Sequence, residues 1–129
     1  MSTADRAASP AILILEDEPL ILMEMSYAVE DEGARPVGVS TVERALSAIE
    51  EDRPDAAILD VTLGRGSTCE PVATRLRELG VPFLVHSGDL LRQGELIARI
   101  GAQVIPKPAD SGHVAERAMA LVADRLAAG

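Results

Sequence analysis

The sequence predicts an α/β domain in which a parallel sheet carries helices on both faces. Five short apolar runs alternate with five stretches of helical periodicity. The runs are too short for helices and read as buried strands. The composition is 47% hydrophobic, with Phe83 and Tyr27 as the only aromatic residues. A core built from Ala, Val, Leu and Ile suits a sheet covered by helices.

Ala11 to Leu15 is the first strand, flanked by Pro10 and by Glu16-Asp17-Glu18. A helix follows from Glu18 or Pro19 to Glu32, with proline in the first turn, where its missing N–H costs nothing. Ile21, Leu22, Met25, Ala28 and Val29 form its inner face, and Gly33 stops it. Arg35 to Val39 is a less apolar strand, nearer an edge. Ser40-Thr41-Val42-Glu43 has the Ser-x-x-Glu form of a capping box, so the second helix starts there and runs through Ala45, Leu46 and Ile49 to Pro54. Ala56 to Leu59 is the third strand, ending at Asp60. A loop from Thr62 to about Thr68 leads to a helix with Val72, Ala73, Leu76 and Leu79 inside, stopped by Gly80. Val81 to Ser87 is the fourth strand, broken by Gly88. A fourth helix covers roughly Leu90 to Arg99. Val104-Ile105 is a very short fifth strand, ended by Pro106-Lys107-Pro108. Asp110 or Ser111 caps a last helix with the stripe Val114, Ala118, Leu121 and Val122. Right-handed crossovers leave few topologies for such an alternation.

At 129 residues the chain is one domain of ordinary size. It divides into a flexible tail, 1–10, and a folded unit, 11–127, with no output domain. The net charge of −9 argues against direct nucleic-acid binding, which needs a basic patch, and suits a cation or a basic partner. The single Cys69 excludes an intrachain disulfide framework and a cysteine zinc cluster. No run approaches the roughly 18 apolar residues of a membrane span, and Met1 to Pro10 lacks the apolar core of a signal peptide. A cytoplasmic location is expected.

The functional argument lies at the strand ends. In a parallel sheet, ligands bind outside the carboxyl ends of the strands. Strand one delivers Glu16, Asp17 and Glu18 there, strand three Asp60, strand four Ser87 and strand five Lys107. Carboxylates brought together raise each other's pKa unless a cation joins them. A hard divalent cation such as Mg²⁺ suits a site of few carboxylates and several waters. Asp60 beside such a cation is suited to attack phosphorus. Lys107 and Ser87 would then pair with phosphoryl oxygens, which meets the positioning and charge needs of phosphoryl transfer.

Four stretches carry a resemblance: Ile14-Leu15-Glu16-Asp17-Glu18-Pro19, Ile58-Leu59-Asp60-Val61-Thr62-Leu63-Gly64, Pro82-Phe83-Leu84-Val85-His86-Ser87-Gly88 and Pro106-Lys107-Pro108. From about Ala11 to Ala127 the chain resembles a response-regulator receiver domain of two-component signalling. The resemblance implies a flavodoxin-like (βα)5 fold with a doubly wound five-stranded sheet in the order 2-1-3-4-5. It implies that Asp60 is the phosphoacceptor and that Glu16 and Asp17 are the acidic pair, with Asp17 the more direct Mg²⁺ ligand. Thr62 would offer its backbone carbonyl to the metal, Ser87 would be the switching hydroxyl and Lys107 the phosphate-sensing lysine. Family members often carry a cis peptide at the Lys107–Pro108 position. The expected phosphodonor is a sensor histidine kinase or histidine phosphotransfer protein, and the output is a contact with a downstream protein. The chain would be a switch rather than an enzyme, with at most Mg²⁺-dependent self-phosphorylation and autodephosphorylation.

The stretch Asp60 to Asp89 looks more particularly like single-domain alphaproteobacterial regulators whose fourth strand reads Pro-Phe-x-Phe-Ala-Thr-Gly-Tyr. Here Ser87 replaces Thr and keeps the hydroxyl, His86 replaces Ala, and Asp89 replaces Tyr. Val104 stands where many receivers carry an aromatic switch residue. Activation is therefore expected through loop and fourth-helix rearrangement.

On the first helix Leu20, Met23 and Tyr27 lie opposite the core face, among Glu24, Glu30 and Asp31. An apolar strip within an acidic surface suggests a docking site for the kinase or phosphotransfer protein. Three other functions compete. A Mg²⁺-dependent phosphohydrolase needs a general acid–base two residues past the nucleophile, where Thr62 is a poor one. A flavin or nucleotide binder needs a phosphate loop after strand one, where Glu16-Asp17-Glu18 repels phosphate. A phosphorylation-independent adaptor does not need the set Asp17, Asp60, Ser87 and Lys107.

Overall fold

The computed structural model describes residues 9–88, 94–107 and 110–128. Most of the N-terminal tail, Asp89, the expected start of the fourth helix at Leu90, and Pro108 of the Lys107–Pro108 peptide lie outside the described residues.

The strands are β1 (Ala11–Leu15), β2 (Arg35–Val39), β3 (Ala56–Leu59), β4 (Phe83–Ser87) and β5 (Gln103–Pro106). The helices are α1 (Pro19–Asp31), α2 (Val42–Glu51), α3 (Glu70–Glu78), α4 (Gly94–Ile100) and α5 (Ser111–Ala128), with a short 3-10 turn over Gly64–Gly66. All strand pairs are parallel and the sheet order is β2-β1-β3-β4-β5. The expected topology holds, and β2 is an edge strand.

Each face of the sheet has its own core, because side chains alternate along a strand. Leu13, Leu15, Ala57, Leu59 and Val85 pack against Ala45 and Ile49 of α2, Val72 and Leu76 of α3 and Ile100 of α4. Ile12, Ile14, Ala56, Ile58, Leu84 and Ile105 pack against Met25 and Val29 of α1 and Val114 and Ala118 of α5. β1 is buried on both sides along its whole length, which is why it reads as an unbroken apolar run.

The local chemistry departs from the sequence reading at three places. The cap of α2 is Thr41, whose Oγ1 accepts the Arg44 N–H at 3.1 Å, and not Ser40. The helix thus begins one residue later than the Ser-x-x-Glu spacing implies. β4 begins at Phe83 rather than Val81, because the Val81 N–H closes the end of α3 on Leu76 O at 2.9 Å, after Gly80 at φ 72°. β5 gains Gln103 and Pro106 through pairing with Leu84 and Ser87. That gain comes from a neighbouring strand and leaves no local signal.

Candidate functional site

Backbone ladder bonds carry the strand-end residues past the last strand positions. Glu16 N–H donates to Val39 O at 3.1 Å, Asp60 N–H to Leu15 O at 3.0 Å, and Lys107 N–H to Ser87 O at 2.8 Å. These bonds hold Glu16, Asp60, Ser87 and Lys107 at one sheet edge, around an open cleft of about 400 Å³ lined by Asp17, Asp60, Thr62, Ser87 and Lys107. Glu16 lies beneath it, 3% exposed, and Asp60 forms its floor, 7% exposed.

Lys107 Nζ lies between the two buried acids, 3.1 Å from Glu16 Oε2 and 3.3 Å from Asp60 Oδ2. Glu16 Oε1 also accepts the Glu18 N–H at 3.2 Å. Asp17, the most accessible of the three acids, accepts the Gly64 N–H on Oδ2 at 3.0 Å. One carboxylate oxygen from each of Glu16, Asp17 and Asp60 lies within 4.8 Å of the others.

The electrostatics follow from this crowding. Burial, reinforced by the Glu16 charge, pushes the Asp60 carboxyl up to about 7, while the Lys107 ammonium pulls the other way. One ammonium does not neutralise two buried carboxylates, so the arrangement favours a further positive charge. Burial alone would lower the Lys107 pKa, but the Asp60 and Glu16 carboxylates outweigh it and hold the ammonium above its ordinary value. Cys69 is fully buried and its thiol is pushed up to about 12, first by desolvation and then by the Asp60 charge. It is an inert thiol.

His86 is buried at 5% exposure, paired in register with Ile105. Burial, then the Lys107 charge, lowers it to about 4, so the imidazole is neutral. Its Nε2 is enclosed without a hydrogen-bond partner among the described residues. Val104 is half-buried on β5. On α1, Leu20, Met23 and Tyr27 are 71%, 46% and 60% exposed.

No protein-family model matches the chain. Among solved structures, the solution structure of SdrG from Sphingomonas melonis is 36% identical, covers 95% of this chain and 99% of its own, and superposes with a TM-score of 0.73. Other solved structures similar to this chain are receiver domains. The chain belongs to the response-regulator receiver family. A CheY-like receiver domain from Methanospirillum hungatei is 22% identical with a TM-score of 0.83, covering 95% of this chain and 100% of that one, and it shares the fold. Two curated relatives align over part of this receiver domain. They are the phyllosphere-induced regulator PhyR of Methylorubrum extorquens, 37% identical over 76 residues, and the heme response regulator HssR of Staphylococcus saprophyticus, 33% identical over 73. Each alignment covers 57% of this chain, but only 28% of PhyR and 33% of HssR.

Of the site residues read from the sequence of this receiver domain, Asp17, Asp60, Thr62, Ser87 and Lys107 line the cleft and Glu16 lies directly under it, whereas Leu20, Met23 and Tyr27 are exposed on α1 and do not line it. Sequence reasoning missed the tie between Asp17 and the Gly64 amide. The glycine-containing loop was visible, but a partner 47 positions away was not.

Proposed function

We propose that this receiver domain takes a phosphoryl group on Asp60 in a Mg²⁺-dependent reaction and signals through protein contacts. The observation that carries this is the placement of Lys107 Nζ against the buried Asp60 and Glu16 carboxylates, at the floor of a cleft wide enough for a phosphoryl group.

The donor set suits Mg²⁺: hard carboxylate oxygens close together, an accessible Asp17, and Thr62 lining the cleft, whose backbone carbonyl would be a further hard oxygen. Asp17, Asp60 and the Thr62 carbonyl would hold the ion, with Glu16 behind them. Bound there, Mg²⁺ supplies charge neutralisation for a phosphoryl group and keeps Asp60 ionised.

The protein's own groups do the rest. An Asp60 oxygen forms the new P–O bond as the P–N bond of a donor phosphohistidine breaks. The departing imidazole keeps the electron pair and takes a proton from solvent. Lys107, freed from its hold on Asp60, pairs with a phosphoryl oxygen, and Ser87 donates a hydrogen bond to another. The donor is a sensor histidine kinase or a histidine phosphotransfer protein, docked on the exposed strip Leu20, Met23 and Tyr27. A phosphohydrolase reading has less support, because the residue two past Asp60 is Thr62, which cannot act as an efficient general acid.

Incubation with acetyl phosphate and Mg²⁺ tests the proposal. Wild type acquires a phosphoryl label that base and hydroxylamine remove, as expected of an acyl phosphate, and Asp60→Asn acquires none. A label that survives Asp60→Asn, or none on wild type, refutes it.

A further inference from the structure

The Gly64 N–H bond to Asp17 Oδ2 joins the loop after β1 to the loop after β3. Gly64 is presented by a small knitted hairpin. Thr62 bridges to Thr68, Leu63 N–H donates to Ser67 O at 2.8 Å, and Cys69 N–H donates to Val61 O at 3.0 Å. Val61, Leu63 and Cys69 are buried and anchor it in the core under α2 and α3. A donor on such a frame is fixed in space, whereas Asp17 is an accessible side chain on a loop. Left alone, Asp17 would sample several rotamers and lose that freedom on binding a ligand. A bond to one carboxylate oxygen removes the freedom beforehand and leaves the other oxygen available.

We propose that the Gly64 amide is a positioning group for the cation site: it holds Asp17 by Oδ2 beside the Glu16 and Asp60 carboxylates and ties occupancy of that site to the order of the 61–69 hairpin. The inference rests on the reading of Asp17 as a Mg²⁺ ligand. The hairpin also carries Thr62, so one small unit orients two of the expected ligands.

The local backbone permits a near-atomic test. Leu63 is extended, at φ −111° and ψ 161°, as a residue before proline prefers. Gly64 is the first residue of the 3-10 turn, where φ near −60° is what proline imposes. Its carbonyl, which accepts the Ser67 N–H at 3.4 Å, survives substitution. Gly64→Pro therefore deletes the donor and keeps the turn. Gly64→Ala keeps the donor, and its Cβ meets Asp17 Oδ2 at an ordinary 3.5 Å.

The experiment measures Mg²⁺ affinity by titration calorimetry for the full wild-type chain, Gly64→Ala, Gly64→Pro and Asp17→Ala. Alongside it, amide exchange is followed by NMR on the metal-free protein, wild type against Asp17→Ala. Gly64→Ala is expected within about twofold of wild type, and Gly64→Pro about tenfold weaker, as for loss of a partner that orients a metal ligand. Asp17→Ala should speed exchange of the Gly64 amide severalfold without any metal present. Equal Mg²⁺ affinities for the alanine and proline variants would overturn the inference. So would a Gly64 amide that exchanges equally fast with and without the Asp17 carboxylate, a readout that stands even if Gly64→Pro folds poorly. Failure of the underlying reading looks different: wild type and Asp17→Ala would bind Mg²⁺ alike, while the exchange difference persisted.

Discussion

Lys107 Nζ lies 3.3 Å from Asp60 Oδ2, joining side chains 47 positions apart, and the same ammonium reaches Glu16 at 3.1 Å. It is the cation that lets both acids be buried, and under the proposed function it is the partner that an arriving phosphoryl group would meet.

Removing that ammonium leaves two buried acids facing each other. Lys107→Ala should destabilise the metal-free protein by about 3 kcal/mol near pH 8, the usual cost of breaking a buried pair by deleting one partner. Asp60 escapes part of the cost by taking a proton, so the deficit should shrink as the pH is lowered toward 5. Urea unfolding of wild type and variant at the two pH values checks this. A deficit that is absent at pH 8, or that grows toward pH 5, contradicts it.

Asp60 and His86 give opposite pH dependences. Burial and the neighbouring Glu16 charge push Asp60 up to about 7 in the folded protein, from an ordinary 3.8. The native state therefore holds an extra proton between those values, and its stability contribution is lost as pH rises from about 4 to 7. His86 titrates at about 4 against 6.5. Here the unfolded state holds the extra proton, so the contribution is lost as pH falls through the same window. In wild type the two slopes largely offset each other between about pH 4 and 6.5. Asp60→Asn removes the first and should leave a protein whose stability rises steadily with pH across that range. Mg²⁺, competing with the Asp60 proton, should raise the melting temperature of wild type more at pH 8 than at pH 5.5. Thermal melts over the pH range, with and without Mg²⁺, check both.

The α1 strip gives a prediction about partners. Leu20→Ala, or charge reversal at Glu24, should slow phosphotransfer from the cognate kinase several-fold while leaving the acetyl phosphate rate unchanged. Leu20 is 71% exposed, so its truncation costs the fold little. Radiolabelled phosphotransfer assays with both donors separate docking from chemistry. Equal slowing with both donors would remove the strip from consideration.

Much of this molecule was legible before its fold was known. The unbroken apolar runs Ala11 to Leu15 and Ala56 to Leu59 announce strands buried on both faces, because such strands have no solvent side to alternate with. Pro19, Gly33 and Gly80 mark helix ends through backbone constraints that are local. Asp17, Asp60, Ser87 and Lys107 were legible as a group because parallel strands all end at one edge, so order along the chain becomes neighbourhood in space. Three-dimensional packing alone decided what those neighbours do to one another. It buried Glu16 under the cleft rather than beside it, set Lys107 between two acids and raised Asp60 toward neutrality. It enclosed His86 as a neutral ring and turned Asp17 to the amide of Gly64. Each of these depends on distances of a few ångströms and on the exclusion of water between segments remote in sequence. Residue type and spacing state which groups reach the edge, and the packed interior sets their charges, their partners and the atoms left free for chemistry.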